Sequence, residues 1–264
     1  MPVESVTLGS VDGVRLDAAV HMASVPAKGV VLLVHGITVD MDEGGGMFVR
    51  LAERLTAVGF DVVRFSFRGH GNSGGTQRGV TIAGECLDLE AAVQFLQGRF
   101  PGRFSIVAAS FGAVSTVLSL PWLADGLDRL VLWNPVLDLR HTFLEPDLAW
   151  GEENFGASQR KLLHDTGVLV VDGEFELGRV LFSEFAHYDP LARFLDSTVP
   201  SLIVHGDRDT AVSYEISARA AMSRPNTALR TIAGSDHGFD SREREDQAIS
   251  ETVDWLVGQV APAS

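Results

Sequence analysis

The serine at position 110 stands between two apolar runs of different character. The first run ends at Ala109, and the second, Val114 to Leu120, follows after a short gap and has the composition of a helix. This order predicts a strand, a sharp turn and a helix, with the Ser110 hydroxyl exposed at the turn. Strand and helix approach closely there, which requires small neighbours such as Ala108 and Gly112. Ser110 is therefore the predicted nucleophile.

A second serine matches the pattern G-x-S-x-G letter for letter, in the stretch from Gly71 to Gly75. Its surroundings are those of a loop, since glycines dominate the stretch and Thr76 to Gly79 is a poor helix start. The motif predicts a nucleophile only where a strand precedes the serine and a helix follows it. We therefore interpret Ser73 as a loop residue.

Composition limits the classes of partner. The chain has 264 residues, a hydrophobic content of 45% and a formal net charge of -14. The acidity, without any basic run, argues against nucleic acid or an anionic membrane as a partner. The single cysteine, Cys86, excludes an internal disulfide, and we expect a buried structural thiol there. No H-x-x-x-H pair suggests a metal site, so neither metal nor cofactor is expected.

The first ten residues and the length of the apolar runs indicate where in the cell the protein is expected. Met1 to Ser10 has no positive region followed by an apolar core, as a secretory signal would. No apolar run reaches the ~18–20 residues that a membrane span needs. A cytoplasmic location is the expectation. The oligomeric state is left open, a homodimer included.

Strands and helices alternate along the first half of the chain. An antiparallel edge hairpin is predicted from Val3 to Leu8 and from Val14 to Met22. Alternation continues as far as Trp133 and resumes from Pro200 onward, which predicts an α/β fold whose mostly parallel central sheet has helices on both faces. The predicted strands and helices are Lys28 to Val34, Phe48 to Val58, Phe60 to Phe67, Val80 to Phe100, Leu127 to Trp133, Pro200 to His205, Ser213 to Ser223, Ala228 to Ile232 and Ser241 to Val260.

The alternation stops between residues 136 and 189. This segment is mixed and aromatic, and around Asp172-Gly173 it contains a predicted hairpin from Val168 to Leu177. We interpret it as a cap inserted over the active site, with residues 1–135 and 190–264 forming the core. Ordinary surface decoration is the alternative.

A serine nucleophile needs a base, and the base needs an acid to orient it. Two loops that follow late strands offer both: the first contains Asp207 and Asp209, and the second contains His237. Loops at the carboxyl ends of strands gather at one edge of an open α/β sheet. The order Ser110, Asp, His237 is the order expected for this fold. The residues themselves leave the choice between the two aspartates open.

The motifs together resemble the α/β-hydrolase superfamily, and within it the cinnamoyl/feruloyl-esterase and serine-aminopeptidase-like group. The resemblance rests on Val34-His35-Gly36-Ile37, Phe67 to Ser73, Ala108 to Gly112, His205 to Val212 and Gly234 to His237. It implies Asp209 as the acid, which makes Asp207 a turn residue. It also implies an oxyanion hole formed by the backbone N–H groups of Ile37 and Phe111.

The resemblance implies a serine hydrolase that cleaves a small to medium carboxylic ester through an acyl-enzyme. Phe111 stands where esterases of this group usually carry glutamine, which favours an apolar and narrower acyl site. A thioesterase or acyltransferase with the same triad is the alternative, and a non-catalytic ligand-binding protein of this fold is a third reading. Three other histidines are expected to be structural: His35, His70 and His205, the last of them packed and hydrogen-bonded. Three more lie in the segment 136–189 and are expected to be surface residues, with contact to substrate as the alternative: His141, His164 and His187.

Overall fold

The computed structural model describes residues 3–258. One large sheet forms the centre, and a separate two-stranded sheet lies in the segment 136–189. The strands are β1 Glu4–Gly9, β2 Arg15–His21, β3 Gly29–Val34, β4 Phe60–Phe65, β5 Phe104–Ala109, β6 Leu127–Trp133, β7 Val168–Val171, β8 Phe175–Gly178, β9 Ser201–Gly206 and β10 Thr227–Ile232.

The helices connect these strands. They are α1 Met47–Ala57, α2 Ile82–Arg99, α3 Gly112–Leu118, α4 Leu120–Leu123, α5 Ala149–Phe155, α6 Ala157–Thr166, α7 Arg179–Glu184, α8 Pro190–Asp196, α9 Tyr214–Met222 and α10 Arg242–Val257. Side-chain caps explain where several of them begin: Thr81 accepts a hydrogen bond from Gly84 N–H at the start of α2, and Ser213 and Ser241 cap α9 and α10 in the same way.

The large sheet has the order β1-β2-β4-β3-β5-β6-β9-β10. β1 pairs antiparallel with β2, and β2 antiparallel with β4, whereas every other neighbouring pair in the sheet is parallel. The predicted α/β fold and the predicted edge hairpin are therefore confirmed. Because the inner strands are parallel, their carboxyl ends all open at the same edge.

Both faces of the sheet are buried, which explains the continuous apolar runs. Along β3, Leu32 packs into the core that contains residues of α2, α3 and α9, whereas Leu33 packs into the core that contains residues of α1 and α10. The side chains alternate between the two cores because successive residues of a strand point to opposite faces. Helices thus cover both faces, as predicted.

The element boundaries differ slightly from the predicted ones. The strand predicted to reach Phe67 ends at Phe65, and the helix predicted over Val80 to Phe100 spans Ile82–Arg99. The last helix ends at Val257, and the remainder of its predicted range to Val260 includes residues outside the described part of the chain.

The segment 136–189 forms helices α5 to α7, a π-helical turn at Arg140–Leu144 and the predicted hairpin, whose second strand begins at Phe175 rather than Glu174. Its buried aromatic side chains belong to a third apolar cluster. The same cluster contains Ile37 and Phe111, which lie at the carboxyl edge of the large sheet. The segment therefore packs against the edge where the predicted site residues lie.

Candidate active site

Ser110 occupies a sharp turn between β5 and α3. Its backbone φ is 49°, a conformation that residues with a side chain rarely adopt. Ser110 N–H donates to Trp133 O at 2.8 Å and Ser110 O accepts from Val136 N–H at 3.1 Å, so both backbone groups hold the turn in place. At Gly112 a Cβ atom would collide with the carbonyl groups of Val34 and His35, so the helix can approach the sheet only because this residue is glycine.

Three side chains from three loops form a continuous hydrogen-bonded chain. His237 Nε2 lies 3.1 Å from Ser110 Oγ, and His237 Nδ1 lies 2.8 Å from Asp209 Oδ2. The structure thus brings Ser110, Asp209 and His237 together, although the first two are 99 positions apart in the sequence. The geometry allows Ser110 to pass its proton to Nε2 while Asp209 holds Nδ1–H.

Asp209 accepts hydrogen bonds on both carboxylate oxygens. Oδ1 accepts from the N–H groups of Ala211 and Val212 at 2.8 and 2.7 Å, and Oδ2 contacts His237 and, at 3.1 Å, His205 Nε2. Burial alone would raise the pKa of Asp209, but attraction to His237 and hydrogen bonds from both histidines outweigh burial and hold the pKa well below its ordinary value. The carboxylate therefore stays ionised.

At His237, burial and the neighbouring charges again shift the pKa in opposite directions, but here the net shift is upward. Burial would lower the pKa of this imidazole, but attraction and a hydrogen bond to Asp209, together with the charges of Glu43 and Asp236, raise the pKa above its ordinary value. The protein thus favours the protonated ring, which is the form that a base takes after accepting a proton.

His205 is packed and hydrogen-bonded, as predicted, but its contact with Asp209 was not foreseen. The side chain is fully buried; Nδ1 lies 2.9 Å from Ser217 Oγ and Nε2 contacts Asp209 Oδ2. Two imidazoles therefore share one carboxylate oxygen. Its position four residues before Asp209, at the end of β9, was the only signal in the sequence.

Ile37 and Phe111, whose backbone N–H groups are predicted to form the oxyanion hole, line the same cavity as Ser110. Within residues 3–258, neither Ile37 N–H nor Phe111 N–H donates to a backbone or side-chain acceptor of the protein. The loop that carries Ile37 is anchored on both sides: Glu43 Oε2 accepts from Gly36 N–H at 2.9 Å, and His70 Nε2 lies 2.5 Å from Ile37 O. Both donors are therefore available to a ligand.

Ser110 and His237 open into a cavity of about 380 Å³. Apolar side chains dominate its wall, from both the core and the segment 136–189: Ile37, Met47, Phe111, Val136, Phe143 and Trp150. Phe111 is buried and touches Phe143 and Phe185 edge-on, so it forms part of an aromatic wall beside the serine. Phe111 thus contributes an apolar side chain to the cavity wall, and its effect on an acyl site stays a prediction.

The alternatives raised by the sequence lie in other surroundings. Ser73 Oγ donates to Ser66 O at 2.7 Å and accepts from Asp17 N–H at 2.9 Å, a structural role within its loop. Asp207 accepts from Gly234 N–H at 2.6 Å and so fixes a turn. Asp236 accepts from Thr210 N–H and from His237 N–H, both at 2.7 Å, and so joins the two loops that carry Asp209 and His237.

The remaining candidates lie outside the cavity wall. His141 Nε2 pairs with Asp147 at 3.2 Å, and His164 Nδ1 with Asp165 at 3.2 Å. Cys86 is half-buried rather than fully buried as expected, and burial raises the pKa of its thiol to about 12. In the described part of the chain no group of three His, Cys, Asp or Glu side chains could hold a metal ion. Among the same residues no helix has both the length and the apolarity for a membrane crossing.

A serine at a strand–helix turn, hydrogen-bonded to a His–Asp pair at the carboxyl edge of a mostly parallel sheet, is the arrangement of the α/β-hydrolase fold. A family profile described as "Serine aminopeptidase, S33" matches residues 25–169, which is more than half of the chain. The chain belongs to this family of α/β hydrolases, and the predicted relationship is confirmed.

Individual relatives are more distant. The chain is 27% identical to 2-(acetamidomethylene)succinate hydrolase of Mesorhizobium japonicum, over 91% of this chain and 94% of that protein. It is 23% identical to monoacylglycerol lipase of Mycolicibacterium smegmatis, over 96% and 97% of the two chains. The solved structure of Est1E from Butyrivibrio proteoclasticus with bound ferulic acid has a TM-score of 0.81 and 22% identity, and covers 97% of this chain and 99% of that one.

Proposed function

We propose that this protein is a serine hydrolase of carboxylic esters. The observation that carries the proposal is the hydrogen-bonded chain from Ser110 through His237 to Asp209, which ends at an apolar cavity. Family membership and the presence of an esterase of Pyrococcus furiosus and a lipase among the similar proteins support hydrolysis of an ester. Ser110 is the proposed nucleophile, His237 the base and Asp209 the orienting acid.

The first half-reaction forms an acyl-enzyme. Ser110 Oγ attacks the ester carbonyl carbon while its proton passes to His237 Nε2, and the negative charge collects on the carbonyl oxygen. The N–H groups of Ile37 and Phe111 donate to that oxygen. The C–O bond to the alcohol then breaks, and the departing alkoxide takes the proton from His237. The Asp209 carboxylate stabilises the imidazolium throughout.

The second half-reaction releases the acid. Water gives a proton to His237 Nε2 and attacks the acyl carbon, and the same N–H groups hold the new oxyanion. The bond to Ser110 Oγ breaks and the serine recovers the proton from His237. No step requires a cofactor, because every proton that leaves one group is taken up by another in the site.

The cavity wall indicates the kind of substrate. Because the side chains beside Ser110 are apolar and aromatic, we propose a small to medium ester whose acyl part is apolar or aromatic. The segment 136–189 contributes Phe143 and Trp150 to this wall, and we propose that it is the cap that selects the substrate. The cytoplasmic location stays a prediction, and the oligomeric state stays open.

Hydrolysis of a p-nitrophenyl ester series tests the proposal. We expect turnover by the wild type, none above background by Ser110→Ala, and a chain-length optimum that reflects the cavity volume. A fluorophosphonate probe should label the wild type and leave Ser110→Ala unlabelled. A wild type that neither hydrolyses esters nor reacts with the probe refutes the proposal.

The same experiment separates ester hydrolysis from its alternatives. Matched oxoester and thioester substrates with one acyl group compare the two leaving groups directly, because the acyl-enzyme is common to both. A clear preference for the thioester reassigns the protein as a thioesterase, and faster product formation in the presence of an alcohol acceptor reassigns it as an acyltransferase.

A further inference from the structure

Glu43 lies in the loop between β3 and α1 and lines the cavity that contains Ser110 and His237. Its two carboxylate oxygens have different partners: Oε2 accepts from Gly36 N–H at 2.9 Å, and Oε1 accepts from Gly44 N–H at 3.1 Å. Gly36 immediately precedes Ile37, one of the proposed oxyanion donors. The carboxylate therefore holds the peptide group next to the one that would stabilise the oxyanion.

The backbone of Glu43 adopts a conformation that normally belongs to glycine. Its φ is 59° and its ψ is 164°, a region that side chains disfavour. The three residues that follow, Gly44 to Gly46, are all glycine, yet this position carries a long acidic side chain. Backbone strain of this kind clusters at active sites and ligand clamps.

The charge of Glu43 acts on His237. Burial raises the pKa of Glu43, as does repulsion by Asp40, while the hydrogen bonds from Gly36 and Gly44 and attraction to His237 lower it; the net direction is upward. His237 in turn is influenced by Asp209, Glu43 and Asp236. Of the described residues that border the cavity, none is Lys or Arg, so protonated His237 is the cation that Glu43 faces there.

We propose that Glu43 is a positioning residue for hydrolysis, which holds the oxyanion loop through Gly36 N–H and stabilises protonated His237 from the cavity side. The inference rests on the proposed function. Asp209 contacts His237 through Nδ1, whereas Glu43 acts through the cavity in which the charge separation of the reaction develops. The proton transfer from Ser110 to His237 therefore takes place under the influence of two carboxylates.

Two substitutions separate the two effects. Glu43→Gln keeps a carbonyl oxygen that can accept from Gly36 N–H but removes the charge. Glu43→Gly removes both, and glycine suits the backbone conformation, so this variant is expected to fold with undiminished thermal stability. Glu53→Gln on the exposed side of α1 is the matched control, since it removes one negative charge outside the cavity.

For Glu43→Gln we expect the midpoint of the His237 imidazole titration, measured by NMR, to fall relative to the wild type and to Glu53→Gln. Its kcat at pH 8 should fall, because the charge that stabilises protonated His237 is lost, but by less than in Glu43→Gly, because the loop is still held. For Glu43→Gly we expect kcat to fall at least about tenfold at every pH with KM changed much less, because a misplaced oxyanion donor acts in the transition state.

Either of two results overturns the proposal. One is an unchanged His237 midpoint in Glu43→Gln, and the other is a wild-type kcat in Glu43→Gly. The NMR titration does not depend on turnover, so its failure is distinct from failure of the proposed function, which shows as a wild type without esterase activity.

Discussion

The turn at Ser110 and the loop at Ser73 carry similar sequences but place the serine hydroxyl in opposite situations. Ser73 Oγ makes two hydrogen bonds to backbone groups: it donates to Ser66 O and accepts from Asp17 N–H. Ser110 Oγ contacts His237 and borders the cavity. The loop that matches the pattern G-x-S-x-G letter for letter is thus the structural one.

The difference teaches that a nucleophile is defined by the elements on either side of it. Ser110 follows β5 and precedes α3, so its backbone is forced to a φ of 49° and its hydroxyl is pushed out of the sheet. Ser73 lies in a loop in which neither constraint exists. A hydroxyl becomes reactive only where the fold denies it a structural hydrogen bond and supplies a base.

The largest expected difference between the two regions is in kcat, after the hydroxyl of Ser110 or of Ser73 is removed. We expect Ser110→Ala to lower kcat for an ester substrate by about 10⁴-fold or more, because the covalent route is lost. Ser73→Ala should keep activity within a fewfold of wild type, since its hydroxyl is hydrogen-bonded to backbone groups. Initial rates with one p-nitrophenyl ester decide the matter, and substantial activity in Ser110→Ala would reverse our assignment of the two serines.

The next largest difference is expected in the free energy of unfolding, when a methyl group is added at one glycine of each motif. Gly112→Ala would drive a Cβ atom into the carbonyl groups of Val34 and His35, which should cost about 3 kcal/mol or more in the free energy of unfolding. At Gly74 the nearest atom, Arg15 O, would lie 3.3 Å from the Cβ, so Gly74→Ala should cost less than about 1 kcal/mol. Urea unfolding of both variants measures the difference, and equal losses would contradict the close approach at the turn.

Ser73→Ala should reveal its structural role through stability. The substitution leaves Asp17 N–H and Ser66 O without their partner, which should lower the free energy of unfolding by about 1–3 kcal/mol. Ser110→Ala should lower it less, because the Ser110 side chain faces a cavity. If chemical denaturation shows Ser110→Ala to be the more destabilised variant, the structural interpretation of Ser73 fails.

The smallest expected effect is a shift in the pH midpoint of kcat/KM. His237 can accept the proton of Ser110 only when it is neutral, and its pKa is raised above the ordinary 6.5. We therefore expect kcat/KM to be full at alkaline pH and to fall, as the pH decreases, through a midpoint above 6.5. The Ser73→Ala variant serves as the control and should show the same midpoint. A midpoint below 6.5 in both proteins would argue against the Asp209–His237 interaction as the dominant influence.

The order of strands and helices could be predicted from the sequence because each inner strand is buried on both faces and so appears as a continuous apolar run. The candidate site could be predicted almost as well, since Ser110 and Asp209 each follow such a run and His237 follows the next predicted strand, β10. Choosing Asp209 over Asp207 required the resemblance to a known family. Both residues lie after β9, and only the fold shows which of them contacts His237.

Other features were not predicted from the sequence pattern. The hydrogen bond from Gly36 to Glu43 and the contact of His205 with Asp209 join residues only seven and four positions apart, but no motif marks either pair, so the contacts appear only in the folded structure. The packing of the segment 136–189 over the sheet edge likewise involves aromatic contacts, such as those of Phe111 with Phe143 and Phe185.

The sequence by itself determined the strand–turn–helix around Ser110 and the parallel sheet that carries it, because periodicity and small residues are local properties of the chain. Tertiary structure decided which acid meets which base, which serine remains free, and which carboxylate shares the cavity with His237. The physical reason is that hydrogen bonds, burial and charge act through space, and three loops far apart in the chain meet only at the common carboxyl edge of the sheet.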